Sequence, residues 1–171
     1  AGYSVSIVGD VNGDGLDDLV VGAVDDSGVM WDGGAAYLVH GPVYGTQSLA
    51  LADAVLTGEW EHSDSGVEVA PAGDVNADGL ADFLVGSSCW DCDSRDGTAY
   101  LYFGPIAGTR SLAEAHVVFL GEDEQDGVGV GVQPVGDADG DGFDDVLIGA
   151  PWRGEGYWGN GVAYLVRGPI L

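Results

Sequence analysis

A chain of 171 residues suits one domain or a few small units, and 46% hydrophobic content is enough for a core. Its 29 Asp and Glu stand against four Arg and no Lys, for a formal net charge of −25. So acidic a surface repels phosphate backbones and anionic lipid, which excludes nucleic acid as a partner, and no apolar run of about 18 residues is present to insert into a membrane.

The segment Tyr3 to Val8 reads as a strand, and an acidic loop opens at Asp10. Strands are predicted at Asp18 to Ala23 and Ala35 to His40, and Gly41-Pro42 stops the run. A polar, Ala-rich linker leads to a fourth strand at Ala54 to Gly58. The order then repeats, with strands at Gly66 to Val69, Asp82 to Gly86, Thr98 to Phe103 and His116 to Leu120. A third round gives Val128 to Val132, Asp145 to Ile148 and Val162 to Val166, and Leu171 comes before a fourth strand. Ser48 to Ala54 and Ser111 to Val117 have the Leu and Ala content for one helical turn each. The runs LVVGA and VLIGA are nearly all apolar, as strands buried on both faces are. The expected fold class is all-β: four-stranded antiparallel β-propeller blades at 1–62 and 63–124, and a third at 125–171 lacking its outer strand.

Two motifs recur in register about every 64 residues, so the chain is an array of like units. One is the acidic loop: GDVNGDGLDDLVVGA from Gly9, GDVNADGLADFLVGS from Gly73 and GDADGDGFDDVLIGA from Gly136. The other is GGAAYLVHGP from Gly33, DGTAYLYFGP from Asp96 and NGVAYLVRGP from Asn160. The third loop places Asp137, Asp139, Asp141 and Asp145 at positions 1, 3, 5 and 9. Four carboxylates held this close repel one another, and a hard divalent cation taking roughly 6–8 oxygens resolves the conflict. An EF-hand is excluded, because its position-12 Glu is replaced by Val21, Val85 and Ile148 inside strands. The competing reading is Asx turns, in which Asp side chains cap their own backbone. It accounts for one Asp well and for a fourfold set repeated three times badly.

Cys89 and Cys92 lie close together in a loop, where a local disulfide in a secreted protein is the first reading and free thiols the second. All five Trp fall in connections: Trp31, Trp90, Trp152 and Trp158 between second and third strands, and Trp60 between the first two units. Trp31, Trp90, Trp152 and Trp158 are candidate ligand contacts, their rings suiting sugars or protein partners; the alternative is that they pack between blades. Arg95 and Arg153 lie in the same loops and are placed to meet an acidic partner, and His40, His62 and His116 read as strand or surface residues. No GxSxG, HExxH or P-loop motif is present, so no enzymatic role is expected. The opening at Ala1, without Met or signal peptide, reads as a mature chain or an excised piece of one.

The loops DxNxDGxxD and DxDxDGxxD, the following VGA or IGAP and the GxAYLxxGP strand resemble the FG-GAP repeats of integrin α-chain β-propellers. The resemblance implies blades of four antiparallel strands with calcium held between the first two, about three ions in this chain. It assigns as ligands the side chains of Asp10, Asn12, Asp14 and Asp18 with the carbonyl of Leu16. In the second loop they are Asp74, Asn76, Asp78 and Asp82 with the carbonyl of Leu80. In the third they are Asp137, Asp139, Asp141 and Asp145 with the carbonyl of Phe143. Four Asp against three Asp and an Asn predict that the third site binds tightest, and Ala77 replaces Gly at a turn of the second. The resemblance also implies extracellular or cell-surface recognition of a protein or glycan rather than catalysis. The other expectations are a carbohydrate-binding module, or the non-catalytic propeller part of a secreted hydrolase. Family propellers have about seven blades, so an incomplete ring is completed by the remainder of a longer chain or by a homo-oligomer, a dimer being favoured.

Overall fold

Short β-branched runs parted by Gly-rich turns become twelve strands in a computed structural model, which describes residues 1–28, 31–88, 97–122, 126–154 and 159–171. The first sheet contains β1 (Val5–Gly9), β2 (Asp18–Ala23), β3 (Ala35–Val39) and β4 (Ala54–Thr57), an antiparallel meander. The second contains β5 (Glu68–Gly73), β6 (Asp82–Ser87), β7 (Thr98–Tyr102) and β9 (Val117–Leu120). The third contains β10 (Gly131–Gly136), β11 (Asp145–Ala150) and β12 (Val162–Val166). The fold is therefore all-β with propeller-like blades, the third three-stranded. The expected helical turns are single 3-10 turns at Leu49–Leu51 and Leu112–Glu114, capped by Ser48 and Ser111.

Two features depart from the expected layout. The first strands of the second and third units were expected at Gly66 to Val69 and Val128 to Val132, but β5 and β10 run on through Pro71 and Pro134 to Gly73 and Gly136. Both are edge strands, where a missing N–H breaks no ladder bond. The unexpected β8 (Gly108–Ser111) leaves the second unit and pairs in parallel with β4, Ala54 opposite Gly108 and Thr57 opposite Ser111. Its sequence, GTRS, has no apolar alternation; it is held by the backbone ladder and by Thr57 Oγ1 donating to the Arg110 carbonyl at 3.2 Å.

The core lies between sheets. Phe83, Val85, Tyr100 and Tyr102 of the second sheet pack with Val8, Val20, Leu38 and Leu56 of the first. Leu84, Ala99 and Leu101, the alternate residues, pack with Val132, Val146 and Ile148 of the third. Successive side chains of a strand point to opposite faces, so a central sheet buries both sets. That is why every residue of β6 is buried and why its middle, Phe83 to Val85, is a continuous apolar run. A bulge recurs just before each acidic loop, at Ile7/Gly9, Pro71/Gly73 and Pro134/Gly136, and turns the chain into the loop.

Candidate metal centre

Each loop begins with an Asp whose carboxylate gathers the backbone around it. Asp10 Oδ1 accepts the N–H groups of Gly13 at 2.8 Å and Asp14 at 3.0 Å, and Oδ2 accepts that of Gly15 at 2.8 Å. Asp74 accepts from Asp78 and Gly79, and Asp137 from Gly140, Asp141 and Gly142. The second and third members close smaller turns. Asn12, Asn76 and Asp139 each accept the N–H two residues on, as do Asp14, Asp78 and Asp141, which hold Leu16, Leu80 and Phe143. The last member is buried and ties the loop to the turn just past the third strand of its unit. Asp18 accepts from Val11 and Gly41, Asp82 from Val75 and Gly104, and Asp145 from Ala138 and Gly168. Asx-turn chemistry thus runs through all three loops. It leaves the carboxylates acceptor capacity, since each oxygen has two lone pairs.

The second members differ in charge. Asn12 and Asn76 donate through Nδ2 to Asp14 and Asp78, at 3.1 and 2.9 Å, so an amide proton relieves the acid pair. In the third loop Asp139 has no proton to give, and the Arg167 guanidinium stands 3.4 Å from its Oδ2. There one oxygen each of Asp137, Asp139 and Asp145 lie within 4.8 Å of one another. An all-oxygen set this close fits a hard divalent cation better than zinc or copper, which prefer nitrogen and sulfur. Burial pushes the Asp82 carboxyl up to about 6, against the N–H bonds from Gly104 and Val75, and the charges of Asp78 and Asp74 push the same way as burial.

Of the candidate ligand contacts, Trp31 is 69% exposed, its Nε1 donating to Asp32 Oδ2 at 2.9 Å. Trp152 packs against Gly127, where a Cβ would come within 2.3 Å of its ring, so it anchors the start of the third unit. Trp90, Trp158, Arg95 and the Cys89–Cys92 pair lie outside the described residues. Arg153 was expected to face an acidic partner; instead it pairs with Glu122 and Asp126 of its own chain and lies over the Tyr164 ring, 5.6 Å from its centroid. His116 stacks on Phe103 at 4.8 Å, and burial, with the Arg110 charge, lowers its pKa.

The FG-GAP repeat family model matches residues 1–39 and 134–166, the strands and acidic loops of the first and third units. Those residues carry FG-GAP repeats. Longer alignments take in the middle unit as well. Integrin alpha-5 of Xenopus laevis is 32% identical over 160 residues, 90% of this chain and 14% of that protein. Integrin alpha-IIb of Mus musculus is 31% identical over 156 residues, 87% of the chain and 14% of the relative. Integrin alpha-IIb of Homo sapiens is 31% identical over 177 residues, 99% and 16% respectively. The chain therefore spans about a seventh of the length of these relatives. Among the described residues, no helix is long and apolar enough to cross a membrane.

Proposed function

We propose that this FG-GAP chain is a calcium-held propeller segment, extracellular or at a cell surface, that acts by binding a protein partner rather than by catalysis. Its units are blades at 1–62, 63–124 and 125–171. The reading is carried by one observation: the same acidic loop joins the first two strands of all three sheets, each closed by a buried Asp. Integrin α relatives over most of the chain support the extracellular, adhesive role. The ligands would be Asp10, Asn12, Asp14 and Asp18; Asp74, Asn76, Asp78 and Asp82; and Asp137, Asp139, Asp141 and Asp145. The carbonyls of Leu16, Leu80 and Phe143 complete the three sets. Bound calcium would supply the positive charge that offsets carboxylate repulsion in each loop. The residues themselves fix the loop backbone and hold the first two strands together, a structural rather than catalytic task.

Calorimetric titration of the chelated protein with calcium tests this. About three sites are expected, the third tightest because it carries the most negative charge, and Asp137→Asn should remove that class of binding selectively. No heat of binding at millimolar calcium would end the proposal. A second reading, glycan binding, is favoured by the open Trp31 ring alone. It expects glycan-array signal that Trp31→Ala abolishes; a blank array eliminates it.

A further inference from the structure

Neighbouring acidic loops touch through the eighth position of the later one. Between the first and second loops that position is Ala81, whose N–H donates to the Asp10 carbonyl at 2.9 Å. That contact is main chain to main chain. Between the second and third loops the position is Asp144, and there a side chain makes the contact: Asp144 Oδ2 accepts the Asp74 N–H at 3.1 Å. The carboxylate stands so close over Gly73 that a Cβ there would come within 2.1 Å of Oδ2.

Asp144 belongs to neither proposed ligand set, yet it reaches both. In its own loop it lies between Phe143 and Asp145, two of the proposed ligands. Across the gap it holds the main chain of Asp74, the first ligand of the second loop. That loop has the most need of support. Asp10 and Asp137 each accept three N–H groups of their own loops. Among the described residues Asp74 accepts two, from Asp78 and Gly79. The N–H that Gly13 and Gly140 give belongs here to Ala77, which carries a Cβ at φ of +62°.

Building on the calcium sites proposed above, we propose that Asp144 couples the second and third loops, so that calcium in either raises the affinity of the other. With Phe143 and Asp145 both engaged as ligands, the backbone on each side of Asp144 is fixed, and so is its hydrogen bond to Asp74. Hydrogen-bond networks carry coupling between sites in this way, and linkage makes the effect reciprocal. Asp144 is a positioning residue: it acts on the second site through Asp74.

The amide signals of Gly79 and Gly142 in two-dimensional NMR report the two loops separately, because each N–H is held by its own first Asp at 2.9 Å. Calcium is titrated into the chelated protein. Asp137→Asn, which disables the third loop, should raise the calcium midpoint of Gly79 about five-fold or more. Asp74→Asn should raise that of Gly142 by the same factor. In an Asp144→Ala background, Asp137→Asn should leave the Gly79 midpoint where Asp144→Ala alone puts it, whereas a direct charge effect of position 137 would persist there. Alanine already stands at the equivalent Ala81. Asp144→Asn, which keeps an oxygen for the Asp74 N–H, should keep the coupling. A Gly79 midpoint indifferent to Asp137→Asn, or a shift that survives Asp144→Ala, overturns the coupling and leaves the calcium sites standing. Amides that do not move at millimolar calcium overturn both. Should Asp144→Ala misfold, unequal factors for Asp137→Asn and Asp74→Asn still refute the coupling.

Discussion

At the scale of single residues, the three loops share one backbone path and differ in how comfortably their sequences take it. The turn position held by Gly13 and Gly140 at φ of +80° and +83° is held by Ala77 at +62°. A Cβ in the left-handed region costs about 1–2 kcal/mol, part of which a Gly returns as entropy lost on folding. Ala77→Gly should therefore stabilise the protein by about 0.5–1 kcal/mol, raising the melting temperature by roughly 1–4 °C in a chain of this size. A thermal melt under matched calcium checks it, and a lower melting temperature would refute the strain. This position was legible in the sequence, because the repeat sets Ala77 beside glycines.

At the scale of elements, the second sheet owes its stability to being central. Its β6 strand presents Phe83 and Val85 to one neighbour and Leu84 to the other, and Gly86 lets the Gly129 carbonyl approach its backbone. A side chain at Gly86 cannot be relieved by a rotamer change, because the clash is with main chain at 1.9 Å. Gly86→Val is expected to cost beyond about 4 kcal/mol and to abolish cooperative unfolding, as large core disruptions do. The same change at Gly149 should be silent in the melt. Equal effects at the two positions would show that the approach of the Gly129 carbonyl is not what makes Gly86 sensitive. The alternation of strands was readable from β-branched runs and Gly-Pro stops. The β8 strand was not, since its pairing comes from where the chain crosses rather than from side chains that favour a strand.

At the scale of the whole molecule, calcium held as proposed would offset the carboxylate repulsion and add to stability. At about 1 mM calcium, a site with a dissociation constant near 10⁻⁴ M adds roughly 1.4 kcal/mol, and three such sites about 4 kcal/mol. That is a large share of the 5–15 kcal/mol typical of a domain. Excess EDTA should lower the melting temperature by about 8–16 °C. An unchanged melt would show that the loops hold together through their own Asx turns, without a cation.

The sequence alone determined the repeat, the all-β class, the position of nearly every strand and the four polar positions of each loop. All of these are local: a period, an alternation, a turn glycine. Only the tertiary structure decided that Arg153 is spent on Glu122 and Asp126, that Trp152 is an anchor while Trp31 is open, and that β8 clamps the first sheet. It also decided that Gly22 and Gly86 each meet the backbone of the next unit, at Gly66 and Gly129, too closely for any side chain. The reason is physical: a residue's chemistry is written in the chain, but what stands against it is set by which sheets the fold brings face to face.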